Sequence, residues 1–91
     1  MYYVYIIYSQ KLGKKYIGYS ADLRDRIREH NSGKSAYTSK GVPWQLVYYE
    51  AYIDEVAARK QELFYKTGQG RRVLNKRLSF LKDEKQDNFI E

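Results

Sequence analysis

The chain has 91 residues, with 17 Lys and Arg against 11 Asp and Glu for a net charge of +6, no Cys and one His. That length makes one domain with a single modest core, and the missing Cys and lone His exclude a disulfide scaffold, a thiolate zinc site and a His-rich metal centre. No apolar run approaches the roughly 20 residues of a membrane span and no signal peptide precedes the first apolar segment, so the expectation is a soluble, cytoplasmic protein.

The charge is unevenly placed. Residues 59–82 hold eight basic residues and one acid, Glu62, whereas residues 83–91 carry a net charge of −3. A basic block beside an aromatic-rich segment suits a polyanion, most simply nucleic acid, although solvated helix faces produce the same balance. There is no internal repeat, low-complexity stretch or linker, so the chain reads as one unit.

Two runs open the chain, Tyr2-Tyr3-Val4-Tyr5-Ile6-Ile7-Tyr8 and Tyr16-Ile17-Gly18, separated by the basic segment Lys11-Leu12-Gly13-Lys14-Lys15. Both are aromatic and β-branched, and the break has a Gly and no apolar period, which predicts an antiparallel hairpin. Alternation across the pleat puts Tyr3, Tyr5 and Ile7 on one face and Val4, Ile6 and Tyr8 on the other, so one face is expected to be core and the other to show phenols.

Ser20 is positioned to cap a helix over 21–31 that stops at Ser32-Gly33, where Gly suits a left-handed residue. Leu23 and Ile27 form its apolar stripe, with Arg26 and His30 on one flank and Arg24 and Asn31 on the other. Arg24, Arg26 and Arg28 either offer forked donors to phosphate or pair with Asp22, Asp25 and Glu29 along the helix. The polar loop 33–42, carrying Lys34, Tyr37, Thr38 and Lys40, either lies over a nucleic-acid backbone or is solvated.

Pro43 leads into a third strand over 44–52, in which Trp44, Tyr48 and Tyr49 either pack or stack on bases. Asp54 then caps a second helix whose expected apolar stripe is Val56, Ala57, Leu63 and Phe64. Glu62 falls nearly opposite that stripe with Arg59 and Lys66 beside it, and a salt bridge to one of these is its ordinary explanation. Gly68 is expected to end this helix and Gly70 to free a turn into a third, marked by Leu74, Leu78 and Leu81. Arg71, Arg72, Lys76 and Arg77 decorate its outside, and the acidic tail 83–91 is expected to fray.

Read together, Tyr3-Val4-Tyr5, Tyr16-Ile17-Gly18 and the run from Glu62 through Lys66-Thr67-Gly68-Gln69-Gly70-Arg71-Arg72 resemble the GIY-YIG endonuclease superfamily over about residues 2–82. The likeness is to its small stand-alone branch and to the nuclease domain of the bacterial excision-repair nuclease. The first motif departs at Tyr3, where the family has Gly, and at Val4, where it has Ile. The resemblance implies an α/β domain of α+β type, a three-stranded antiparallel sheet flanked by helices, spanning residues 1–91. It also implies a catalytic set of Tyr5, Tyr16, Arg26 and Glu62. On that resemblance Glu62 would hold one Mg²⁺ or Mn²⁺, Arg26 would contact phosphate, and a tyrosine would take a proton from the attacking water. Which tyrosine does so is not fixed by sequence; Tyr16 is the choice, since its motif is intact and precedes the helix bearing Arg26.

The expected function is therefore a metal-dependent DNA endonuclease, with a nucleic-acid-binding module lacking turnover as the alternative and a protein-interaction domain as a third reading. Lys15, Tyr19, Arg24, His30, Lys34, Lys66, Arg71 and Arg72 are the expected nucleic-acid contacts. The expected partner is DNA, branched or damaged, in a repair setting, with the protein a monomer or weak dimer and no dedicated protein partner.

Overall fold

The computed structural model describes residues 1–81 and 88–90. Strands β1 (Tyr2–Ser9), β2 (Lys14–Ser20) and β3 (Trp44–Tyr52) form one antiparallel sheet in the order β2-β1-β3. Gly13 turns the hairpin at φ 64°, a left-handed conformation that costs other residues a steric clash. Helix α1 (Leu23–Asn31) follows the hairpin, and α2 (Glu55–Tyr65) and α3 (Gly68–Arg77) follow β3. The fold is thus of α+β type, a three-stranded sheet with three helices, as the sequence leads one to expect.

The central strand is apolar on both faces because both are covered. On one face Val4, Ile6 and Ile17 meet Ala58 and Tyr65 of α2 and Leu74 and Leu78 of the α3 region. On the other, Tyr5, Ile7 and Trp44 pack with Tyr16, Leu46 and the α1 stripe of Leu23 and Ile27. The expectation of one core face and one phenolic face is corrected accordingly: α1 closes the second face over Tyr5.

The local caps differ in detail from the sequence reading. Asp22, not Ser20, caps α1 by accepting from the Asp25 N–H at 3.2 Å, while the Ser20 hydroxyl is engaged with the Asp22 backbone. Asp54 caps α2 as expected. Thr67 caps α3 through the Gly70 N–H, so Gly68 and Gly70 lie inside that helix rather than ending α2. Gly70 is needed for close packing, since a Cβ there would meet the Phe64 carbonyl oxygen at 1.8 Å.

Helix α2 is also rotated from its expected orientation. Val56, Leu63 and Phe64 are exposed, and Ala58 and Tyr65 point inward instead, with Gln61 and Glu62 half-buried. The cause is Glu50 on β3, whose carboxylate accepts from the Tyr48 and Tyr52 hydroxyls at 2.6 Å each, from Gln61 at 3.2 Å and from the Tyr65 hydroxyl. Burial opposes ionisation of Glu50, but these donors outweigh it and hold its carboxyl below the usual range. Hydrogen bonds to a charged acceptor contribute about 1.5–3 kcal/mol each, non-additively. Glu50→Gln is therefore expected to destabilise the fold by about 2–4 kcal/mol in urea denaturation; an unchanged midpoint would refute the role of Glu50 in orienting α2.

Residues 88–90 of the tail, expected to fray, are held against β2. Lys15 donates its N–H to the Asn88 carbonyl at 2.8 Å, the Ile90 N–H donates to the Lys15 carbonyl at 2.8 Å, and Phe89 lies along the β2 edge. The remainder of the stretch 83–91 lies outside the described residues.

Candidate active site

The hairpin register sets Tyr5 opposite Gly18 and Ile7 opposite Tyr16, so both tyrosines project from the face covered by α1. The Tyr5 ring lies across Gly18, where an added Cβ would come within 2.3 Å of the ring and hydroxyl. The glycine of the second motif is thus the space that the tyrosine of the first occupies.

His30 projects from the last turn of α1 and is 0% exposed. Its Nε2 lies 2.7 Å from the Tyr5 hydroxyl and its Nδ1 lies 2.8 Å from the Thr38 hydroxyl. A neutral imidazole has one N–H and one lone pair, so it donates to one hydroxyl and accepts from the other. Burial, then the charge of Arg26, pushes the His30 pKa down to about 4. Burial likewise raises Tyr5 far above its ordinary value, although Arg26 opposes the shift. Both groups are neutral near pH 7, and Tyr5, 1% exposed, is locked in place. Tyr16 remains half-buried, its ring centroid 5.2 Å from that of His30.

This chain of hydroxyls and imidazole carries a pH dependence. The unfolded chain protonates His30 near 6.5 and the folded chain only near 4, so between those values the unfolded state binds more protons. Stability therefore falls as pH drops through that window. Denaturation at about pH 7 and about pH 5 should show a smaller loss for His30→Gln than for the wild type; equal losses would contradict the buried neutral state.

Arg26 reaches toward the same hydroxyl from α1, and its guanidinium donates to Glu29 at 2.7 Å. Glu62, from α2, acts electrostatically on Tyr5 as well. Its side chain is 17% exposed, and Lys66 Nζ lies 3.2 Å from Oε2, the salt bridge that the sequence offers as its ordinary role. Arg59 pairs instead with Glu55. Tyr5, Tyr16, Arg26 and Glu62, far apart in sequence, are thereby brought into one region. A cleft of about 350 Å³ lined by Tyr16, Tyr37, Lys66, Arg71 and Ile90 opens beside them, and a second, of about 460 Å³, is lined by Arg26, Glu29 and Lys34.

The other expected contacts divide. Lys34, Lys66 and Arg71 border these clefts, and Arg72 is exposed on α3. His30 is not a surface contact but the buried partner of Tyr5. Lys15 is 2% exposed, with Nζ 5.0 Å from the Phe89 ring centre, so the tail covers it. Tyr19 faces the other side of the sheet, donating to Glu55 at 2.7 Å beneath Arg59. Arg24 lies on the far flank of α1. Thr38, expected in a loop over a backbone or in solvent, is instead buried against His30, and Ile90, at the cleft, was missed by sequence reasoning.

A donor set with one carboxylate fits a divalent ion that keeps most of its waters, such as Mg²⁺ or Mn²⁺, rather than a closed zinc site. Among the described residues no group of three His, Cys, Asp or Glu converges on a point.

A sheet that presents a tyrosine from each arm of a hairpin, with an arginine on the next helix and a glutamate on a later one, is the arrangement that the resemblance to the GIY-YIG superfamily implies. Residues 1–77 match the family described as the GIY-YIG catalytic domain, and the chain belongs to that family. It is 32% identical to UPF0213 protein spr1390 of Streptococcus pneumoniae, covering 97% of this chain and 85% of that one. It is 36% identical over 67 residues to UPF0213 protein SpyM50708 of Streptococcus pyogenes, covering 72% and 70%. Among solved structures, the solution NMR structure of UPF0213 protein BH0048 from Bacillus halodurans superposes with a TM-score of 0.50 at 32% identity, covering 97% of this chain and 93% of that one. Among the described residues no helix is long and apolar enough to cross a membrane.

Proposed function

We propose that the protein is a metal-dependent endonuclease that hydrolyses DNA phosphodiester bonds with a tyrosine-activated water. The observation that carries this reading is that Tyr5 feels the charge or polarity of Tyr16, Arg26 and Glu62, with Tyr16 opening on a cleft that Lys66 and Arg71 also line. Tyr16 is the general base. It borders the cleft, whereas the Tyr5 hydroxyl is buried in the hydrogen-bond network of His30 and Thr38. Tyr5 positions His30 and the edge of the site. Arg26, with its forked donors, neutralises charge that builds on the phosphate. Glu62 would hold a Mg²⁺ or Mn²⁺, which when bound supplies positive charge beside the leaving oxygen. Lys34, Lys66, Arg71 and Arg72 hold the flanking backbone without reading sequence. Its substrate, on this reading, is branched or damaged DNA in a repair setting.

The Glu62–Lys66 ion pair favours the second reading, a binding module without turnover, because it engages the carboxylate that the metal would need. Both readings require nucleic acid. Affinity for DNA should fall with salt at a slope of roughly −0.9 per phosphate neutralised, and Lys34→Glu with Arg72→Glu should weaken it uniformly across sequences. A flat salt dependence would remove both readings.

A further inference from the structure

A further cleft lies outside the site just described. It has a volume of about 640 Å³ and runs between α1 and the sheet, with Tyr3 and Tyr49 on the sheet side, Leu23 and Ile27 on the helix side and Arg24 and Arg28 among its lining. Tyr3 is two residues from Tyr5 on β1, and Tyr49 pairs with Tyr5 across the sheet, so the cleft opens on the same face of the sheet as Tyr5. It takes the β3 side of α1, and Arg26 with Lys34 borders a separate cleft.

The lining has the chemistry of a nucleotide site. Tyr3 packs edge-on against Tyr49 with ring centroids 5.9 Å apart, which fixes Tyr49 while leaving it 52% exposed. Leu23 and Ile27 supply an apolar wall facing it. Arg24 is in no ion pair among the described residues, and Arg28 is held only by an exposed contact to Asp25 at 3.5 Å. Both guanidiniums are therefore available to a phosphate. Asp22 lines the cleft too; a carboxylate there disfavours a phosphate at the helix start and accepts from an amine on a base edge. Tyr3 stands where the family motif has Gly, so part of this wall is a feature of the present chain.

We propose that this cleft is a subsite for an unpaired nucleobase of the strand being cut, with Arg24 and Arg28 on its phosphate. The inference rests on the nuclease reading and deepens it. A base within a duplex is stacked on both faces and paired along its edge, so it cannot enter a slot walled by a ring on one side and aliphatic groups on the other. The substrate thus has at least one unpaired nucleotide in the strand being cut.

The test compares affinities of the full chain for a labelled single strand and for the matching duplex, by fluorescence anisotropy. Aromatic stacking on a base is large enough that Tyr49→Ala should weaken single-strand binding roughly 5- to 100-fold and leave duplex binding unchanged. Tyr49→Phe should keep the single-strand affinity within about twofold, since the stacking face is retained. If Tyr49→Ala binds both DNAs as the wild type does, or loses both equally, the base subsite is overturned while the nuclease reading stands. If the wild type binds neither DNA, the nucleic-acid reading fails and the subsite falls with it.

Discussion

Tyr16→Phe should lower the rate of phosphodiester cleavage by about 10² to 10⁴ and remove the alkaline rise of its pH profile. A general base must reach the attacking water and give up its own proton easily. Tyr5 meets neither condition: it is buried, its hydroxyl is hydrogen-bonded to His30, and burial raises its pKa strongly. Tyr16 borders the cleft that Lys66 and Arg71 also line, where a water and a phosphate can both approach. Tyr5→Phe removes one hydrogen bond to His30 and keeps the ring that fills the space over Gly18. It should retain the wild-type pH dependence with a smaller rate loss. Rates across about pH 6 to 10 with Mn²⁺ present distinguish the two, and a greater defect in Tyr5→Phe, with loss of the alkaline rise, would exchange their roles.

Glu62→Gln should abolish cleavage while leaving DNA affinity equal or tighter. The substitution keeps the shape of the side chain and withdraws the charge that attracts a divalent ion, and it also removes a repulsion toward phosphate. Stability should change little. The contact with Lys66, which is 45% exposed, is a partly solvated i,i+4 pair of the kind that contributes a few tenths of a kcal/mol. The structural role alone predicts the opposite pattern, a slight loss of stability with activity intact. Cleavage by Glu62→Gln at the wild-type rate would assign the residue to its salt bridge.

The strands were legible because their signal is local. β-branched and aromatic runs broken by Gly13 and Pro43 place β1, β2 and β3 without reference to the rest of the chain. The buried face of α2 was not. Its apolar residues Val56, Leu63 and Phe64 suggest one orientation, but Glu50, on a strand, gathers Gln61 and Tyr65 and turns the helix another way. No period within α2 records that partner. The candidate set Tyr5, Tyr16, Arg26 and Glu62 came from the order and spacing of motifs. What lay beyond reach were contacts made by segments that return from a distance. Thr38 comes back along the loop to fix His30, and the tail pairs with β2 so that Phe89 covers Lys15. A lysine in a basic turn reads as a surface charge until the segment that covers it is placed.

The departure at Tyr3 illustrates the same point. Considered alone, a side chain in place of the motif Gly suggests a narrowed active site. In the fold it is directed to the cleft between α1 and β3, against Tyr49, and leaves the region around Tyr16 open.

The central claim is turnover, and the most direct measurement is nicking of a panel of labelled duplex, flap, branched and single-stranded DNAs by the purified chain, with Mn²⁺ and with chelator. Cuts are expected in at least one substrate containing unpaired nucleotides, dependent on the added ion and absent in Glu62→Gln. Failure to cut any member of the panel, or cutting that persists in chelator, would contradict a metal-dependent nuclease.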